Sequence, residues 1–257
     1  MITNSISPVL LSAGPLQLHW YGLLYVAGIV AVYLLAGRIA RQRGLEYGKE
    51  WLSELGFSIV LGVIVGARLL YVLSAFSYYA AHPLQVIAIW NGGLAFHGGL
   101  IGGVLAGYWH GKRKKMDFLG VADVLVIAVP LALAIGRVGN FINSEFYGPA
   151  TALPWGVVFP AIDGVARHPT MLYEAAGMLL VCGALWLLKG RGLHKGALLG
   201  SFFVLYSLIR FPLEYLKANV TMIGPLTWGQ WWSIPMLAAG LWLLVGNRSV
   251  RKSHVEK

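Results

Sequence analysis

Residues Gly120–Gly148 read GVADVLVIAVPLALAIGRVGNFINSEFYG. Up to Ile135 the only charge is Asp123. Then Arg137, Asn140, Asn143 and Glu145 follow within a few residues. The first part reads as a helix that crosses a membrane. The second part needs a reason, because a charge inside a bilayer costs several kcal/mol and marks a function or a partner.

The rest of the chain fits a membrane setting. Of 257 residues, 58% are hydrophobic and only 12% charged, against roughly a quarter charged in a soluble domain. Mean hydropathy is +0.69. The length suits one domain, 1–257. The N-terminus lacks a basic region and an A-x-A-like site, so no cleavable leader is expected. Cys182 is the single cysteine. It excludes an internal disulfide and a cysteine metal cluster, and within LLVCGALW it reads as packing.

Windows of about twenty apolar residues predict seven helices. They cover 19–37, 55–75, 94–110, 119–138, 170–188, 197–216 and 229–246. Fifteen of the 20 Lys and Arg residues fall after the first, third, fifth and seventh of these. The alternate segments 76–93, 139–169 and 217–228 hold only Arg167 and Lys217, and residues 1–37 hold none. The positive-inside rule then puts the N-terminus outside and the C-terminus in the cytoplasm. The net charge of +10 therefore reports topology, and no nucleic-acid partner is expected. The expected fold is an all-α polytopic membrane protein with about seven transmembrane helices. The long Pro- and Gly-rich loop 139–169 forms a small external cap.

Arg68, Arg137 and Arg210 remain, each inside a predicted helix. At 1.5 Å per residue they stand roughly 20–27 Å into a core of about 30 Å. Three guanidiniums are thus expected in the outer half of the membrane. One reading is structural pairing, Arg210 with Glu214 at i,i+4 and Arg137 with Glu145. The other is an anion site, since the arginine fork matches a phosphate. A phosphate at this depth belongs to an outer-leaflet phospholipid.

Further candidates lie at the same depth. His97 sits near the start of the third helix, where a neutral imidazole could accept a proton. Its neighbours Gly98, Gly99, Gly102 and Gly103 form overlapping G-x-x-x-G patterns that read as close helix packing. Tyr21 fits an aromatic belt or the site. Arg167, His168, Tyr173 and Glu174 are expected to cluster at the outer end of the fifth helix. There is no G-x-S-x-G, G-x-S-G, H-E-x-x-H or H-x₄-D. No metal, nucleotide or other cofactor is implied.

The segments HWYG, FHGGLIGG, GRVGNFINSEFYG, RHPTMLYE, IRFPLEYL and GQWWSIP resemble, in order, those of the bacterial phosphatidylglycerol–prolipoprotein diacylglyceryl transferases. Ser144 stands where that family often has Gly. The resemblance implies an enzyme of the bacterial cytoplasmic (inner) membrane with its active site towards the outer leaflet. It would move the sn-1,2-diacylglyceryl group of phosphatidylglycerol to the lipobox cysteine of a prolipoprotein signal peptide, forming a thioether and releasing glycerol-1-phosphate. Arg137 and Arg210 would bind the phosphate, with Asn140 and Asn143 donating hydrogen bonds. Tyr21, His97, Glu145, Gly148 and Glu214 are implied as well, His97 being the first choice of base and Glu145 or Tyr21 the alternatives. Arg68 joins the substrate-binding set on depth alone. The competing readings are an intramembrane phospholipid hydrolase or acyltransferase, and a non-catalytic lipid transporter.

Overall fold

The structure is a computed structural model that describes residues 2–14, 16–48, 50–218 and 220–255. Lys49 and Lys257, both counted for orientation, lie outside the described residues, as do the side chains from 246 onwards.

Among the described residues seven helices have 17 or more residues: α1 Trp20–Gln42, α2 Trp51–Ser74, α4 Phe96–Arg113, α5 Phe118–Ile142, α6 Thr170–Leu188, α7 Ala197–Leu213 and α8 Trp228–Val255. A short α3, Phe76–Ala81, precedes 3₁₀ turns at Pro83–Ile87 and Ile89–Asn91. Another 3₁₀ turn, Glu214–Leu216, continues α7. Among the described residues five helices are long and apolar enough to cross a membrane: α1, α2, α5, α6 and α7 with its 3₁₀ extension. The protein is a mostly helical, multi-pass membrane protein.

Several helices overrun their apolar windows. The additions to α1, α4 and α8 are rich in Lys and Arg: Arg38 and Arg41, then Lys112 and Arg113, then the basic tail. Such residues are good helix formers and are favoured at the negative end of the helix dipole. Hydropathy therefore stops before the helix does. The all-α expectation also needs a correction, since short strands occur outside the helices. β2 (Val9–Ala13) and β3 (Leu16–His19) make a hairpin, and Met222–Ile223 pairs with Leu226–Thr227. β1 (Ile2–Thr3), β4 (Val157–Val158) and β5 (Ala166–Arg167) form a small sheet, in which β1 runs parallel to β4 and β4 antiparallel to β5. Irregular backbone still has to pair its N–H and C=O groups.

The chain divides into two compact units. One comprises residues 40–121, and the other residues 1–39 with 122–257. In the smaller unit α2 and α4 pack through glycine. A Cβ on Gly98 would land on the carbonyl oxygen of Gly66, and one on Gly102 on that of Gly62. Gly99 and Gly103 face Val63. The G-x-x-x-G patterns are packing surfaces, as expected.

In the larger unit Asp123, the lone charge of the apolar run, accepts the backbone N–H groups of Gly196 at 2.8 Å and Leu199 at 2.9 Å. A buried carboxylate there satisfies donors that the start of α7 leaves unpaired. Cys182 donates to the carbonyl of Ile127 at 3.4 Å, in the turn disturbed by Pro130. Gly200 and Gly240 bring α7 and α8 into backbone contact. Phe159, fully buried, packs with Val157 and Met171 against Phe141, Tyr147 and Leu172. That cluster ties the 143–169 segment down over the ends of α5 and α6.

Candidate active site

The site is built from one end of three helices in the larger unit. Arg137 and Asn140 are three residues apart in the last turns of α5 and share a face. Arg137 Nη1 donates to Asn140 Oδ1 at 3.1 Å. Beyond α5 the backbone enters the left-handed region twice, at Ser144 (φ 57°) and Phe146 (φ 57°). Non-glycine residues adopt it at a cost of about 1 kcal/mol or more, and such strain gathers at functional sites. Here it folds Glu145 back over the helix end. The N–H of Glu145 reaches the carbonyl of Asn140 at 2.9 Å. Its carboxylate accepts Nδ2 of Asn140 at 2.8 Å and Nδ2 of Asn143 at 3.3 Å.

The centre is Glu174, in the second turn of α6 and only 4% exposed. Its Oε2 lies 2.5 Å from Nε of Arg137. Its Oε1 lies 2.5 Å from Nη1 of Arg210, at the end of α7, and 2.7 Å from Nζ of Lys217. Glu214 Oε2 faces the same two cations, 3.1 Å from Arg210 Nη2 and 3.3 Å from Lys217 Nζ. It is aligned for a hydrogen bond with neither. The expected Arg210–Glu214 pair is therefore present, while the ion pair of Arg137 is with Glu174. Three cations converge on two buried carboxylates. Burial lowers the pKa of Lys217, and Arg210 pushes in the same direction, against the pull of Glu174 and Glu214. The ring of Phe146 lies 5.6 Å from the Arg137 guanidinium and 5.8 Å from the Lys217 ammonium.

Glycines make the room. A Cβ on Gly148 would stand 2.5 Å from the carbonyl oxygen of Leu216 and 2.7 Å from Cβ of His168. Gly148 therefore lets the strained turn, the start of α6 and the end of α7 meet. A Cβ on Gly229 would stand 2.6 Å from Cδ of Glu214. The preceding Thr227 and the following Gln230 cap α8 reciprocally, with N–H to side-chain oxygen distances of 3.0 and 3.2 Å. Asn4 donates to the carbonyl of Phe141 at 2.8 Å and to Ser144 Oγ at 3.3 Å, tethering the N-terminal segment to the strained turn.

The structure thus gathers Arg137, Asn140, Asn143, Glu145, Gly148, Arg210 and Glu214. Tyr21, in the first turn of α1, packs close to Gly139. His97 is exposed in the first turn of α4, and it belongs with Arg68 to the smaller unit. Arg68, expected at the phosphate, donates elsewhere. Nε bonds to the carbonyl of Val86, Nη1 to those of Gly92 and Gly93, and Nη2 to those of Gln85 and Ala88. A guanidinium has five N–H donors, and these contacts use all of them. The expected outer cluster divides too. Arg167 pairs with Asp163, and His168 and Trp155 meet the hydroxyl of Tyr173, while Glu174 joins the arginines. The hub role of Glu174 and the part played by Lys217 were not foreseen. The only sequence signal was the placement of Lys217 in a segment otherwise free of basic residues.

Helices apolar enough to cross a membrane, ending in arginines paired to buried carboxylates, define a multi-pass membrane protein with a charged cluster at the ends of its helices. A model of the prolipoprotein diacylglyceryl transferase family matches residues 8–246. Three proteins named phosphatidylglycerol–prolipoprotein diacylglyceryl transferase are similar along nearly their whole length. That of Geobacter sulfurreducens is 41% identical over 95% of this chain and 97% of its own. That of Polynucleobacter necessarius is 38% identical over 98% and 100%, and that of Pseudomonas syringae pv. tomato 42% over 93% and 92%. The chain belongs to the prolipoprotein diacylglyceryl transferase family.

Proposed function

We propose that the protein transfers the diacylglyceryl group of phosphatidylglycerol to the lipobox cysteine thiol of prolipoproteins. Family membership and the names of the relatives support that activity. The observation that carries the mechanism is the convergence of Arg137, Arg210 and Lys217 on Glu174.

In the reaction the thiol loses its proton and sulfur bonds to the glycerol carbon. The carbon–oxygen bond to phosphate breaks, and glycerol-1-phosphate leaves with the electron pair. Negative charge grows on the phosphate, so guanidiniums aimed at it lower the barrier. Arg137 and Arg210 bind the phosphate, and Asn140 and Asn143 donate from their amides. Glu174 holds the two guanidiniums together, Glu214 orients Arg210, and Gly148 keeps the wall open. His97 is the base by its chemistry, with Glu145 and Tyr21 as alternatives. The enzyme needs no nucleophile of its own, and no metal or cofactor enters this reaction.

The topology we propose counts α4 and α8 as crossings too. Residues 1–257 then form one domain with seven spans, the N-terminus outside, the C-terminus cytoplasmic and 139–169 as external cap. It places the site at the outer leaflet of the bacterial cytoplasmic membrane. The lysines and arginines at the ends of α1 and α4 support that orientation. In a Cys182→Ala background, a cysteine added at Ala152 should react with an impermeant reagent from outside. Reaction of one added at Lys114 would reverse the orientation.

The decisive experiment supplies purified protein with phosphatidylglycerol and a lipobox peptide and weighs the peptide. A diacylglyceryl increment supports the transferase. Free diacylglycerol alone means a hydrolase, and no chemistry means a transporter.

A further inference from the structure

The segment between α2 and α4 is too long and too apolar for a connector. The glycine contacts run Gly62 to Gly102 and Gly66 to Gly98, so α2 and α4 are antiparallel and their joined ends are neighbours. Such ends need only about 2–8 residues to connect. Residues 75–95 hold no Asp, Glu, Lys or Arg. Instead they expose Phe76 (64%), Leu84 (83%), Ile87 (68%) and Trp90 (76%). A water-facing loop carries charge, and a large exposed apolar patch marks a partner. Because α2 is apolar enough to cross the membrane and ends at Ser74, this segment starts at the membrane surface.

Arg68 explains how irregular backbone can stay there. Away from water every carbonyl needs an internal donor, and non-helical backbone at membrane depth is tolerated only where protein satisfies it. Arg68 bonds five carbonyls between Gln85 and Gly93. Its guanidinium also lies 5.2 Å from the ring of Tyr79 and 5.9 Å from that of Tyr71.

We propose that residues 76–90 form an interfacial foot, docked in the lipid headgroup–acyl boundary through Phe76, Leu84, Ile87 and Trp90 and anchored to α2 by Arg68. The occupant of this surface is phospholipid. The inference rests on the multi-pass membrane character of the chain and is independent of the transfer activity.

The test uses the full chain with Leu84→Cys, Ile87→Cys or Trp90→Cys, each in Cys182→Ala. Each is labelled with an environment-sensitive fluorophore and reconstituted in phosphatidylglycerol–phosphatidylcholine vesicles. The exposed cap position Ala152→Cys is the reference. Foot labels should be quenched by lipids carrying a shallow spin label, and their quenching by iodide should be about threefold weaker than at the reference. Iodide quenching equal to the reference would overturn the proposal. So would shielding from iodide without lipid quenching, which means a protein partner or a second copy covers the patch. Adding Arg68→Gln should raise iodide access to the Leu84→Cys label. Unchanged access would remove the arginine as anchor. If that variant does not fold, the cysteine variants alone still decide the lipid contact.

Discussion

Arg137 and Arg210 in one unit and Arg68 in the other are the same residue type in helices apolar enough to cross a membrane, yet they meet different partners. The first two face carboxylate side chains. Arg68 faces backbone carbonyls. A carboxylate is an anion, and another anion can share its cations, so under the proposed function the Glu174 cluster is where a phosphate would join an internal ligand. A set of carbonyls bound by all five N–H groups has nothing to exchange. On the proposed function, the partner is what separates a binding arginine from a scaffolding one.

The largest expected effect tests the exchangeable side of that contrast. Arg137→Gln or Arg210→Gln should lower kcat by about 10²–10³-fold, the usual loss when a donor to a charge-developing oxygen is removed. Arg→Lys should rescue poorly, because it loses the planar fork. Structural pairing alone predicts another pattern. Removing one partner of a buried pair costs about 3–5 kcal/mol, and on that reading Arg210→Gln combined with Glu214→Gln would restore activity together with the share of stability that the Arg210–Glu214 pair holds. We expect that double variant to regain only that share, because Glu174 still lacks its 2.5 Å partner, and to stay inactive. A fully active double variant would move Arg210 to the scaffolding class beside Arg68.

His97→Gln should slow transfer about 10²-fold at neutral pH, the range of a lost general base. Raising the pH towards the thiol's own pKa should recover part of the rate. A rate unchanged at every pH would remove His97 and leave Glu145 or Tyr21.

These residues were legible for a physical reason. Arg137, Asn140, Asn143 and Glu145 lie within one helix end, so local spacing places them together. Arg210 and Glu214 share a helix turn. Glu174 reaches the same cluster only through the packing of α6 against α7, which no local spacing encodes, whereas Lys217 stands three residues beyond Glu214, just past the turn that continues α7. The use of Arg68 was hidden for a different reason, because carbonyls leave no mark in a sequence. The helices were legible as apolar windows, and their basic ends were not, since hydropathy measures transfer into lipid and not helix propensity.

On the scaffolding side, Arg68→Gln should destabilise the protein by about 2–3 kcal/mol, the cost of leaving buried carbonyls unsatisfied. The kcat of the folded fraction should stay within about threefold of the parent, since a scaffolding arginine makes no contact that strengthens in the transition state. A folded Arg68→Gln variant with kcat down a hundredfold would erase the distinction between the two kinds of arginine.

The smallest effect is expected where an arginine–carboxylate pair is neither buried in the cluster nor used by it. Arg167 Nη2 lies 2.5 Å from Asp163 Oδ2, and both residues sit partly exposed in the segment between α5 and α6. The hydrogen bond from Arg167 holds the Asp163 carboxyl below the ordinary carboxylate range, helped by the N–H of Val165. A carboxyl whose pKa falls on folding stabilises the protein fully above its unfolded value. That contribution fades as the pH drops through the lower folded value. It is therefore intact at neutral pH and disappears only in acid. Salt screens such exposed charges, because the Debye length is about 3 Å at 1 M. Asp163→Asn should leave transfer unchanged at neutral pH, and any small loss of thermal stability there should vanish at high salt or in acid. The Arg210–Glu174 pair, whose carboxylate is buried, should show a weaker salt dependence. If Asp163→Asn instead abolished transfer with the fold intact, the Arg167–Asp163 pair would belong to the site, and the boundary between exchangeable and structural arginines would have to be redrawn around Arg167.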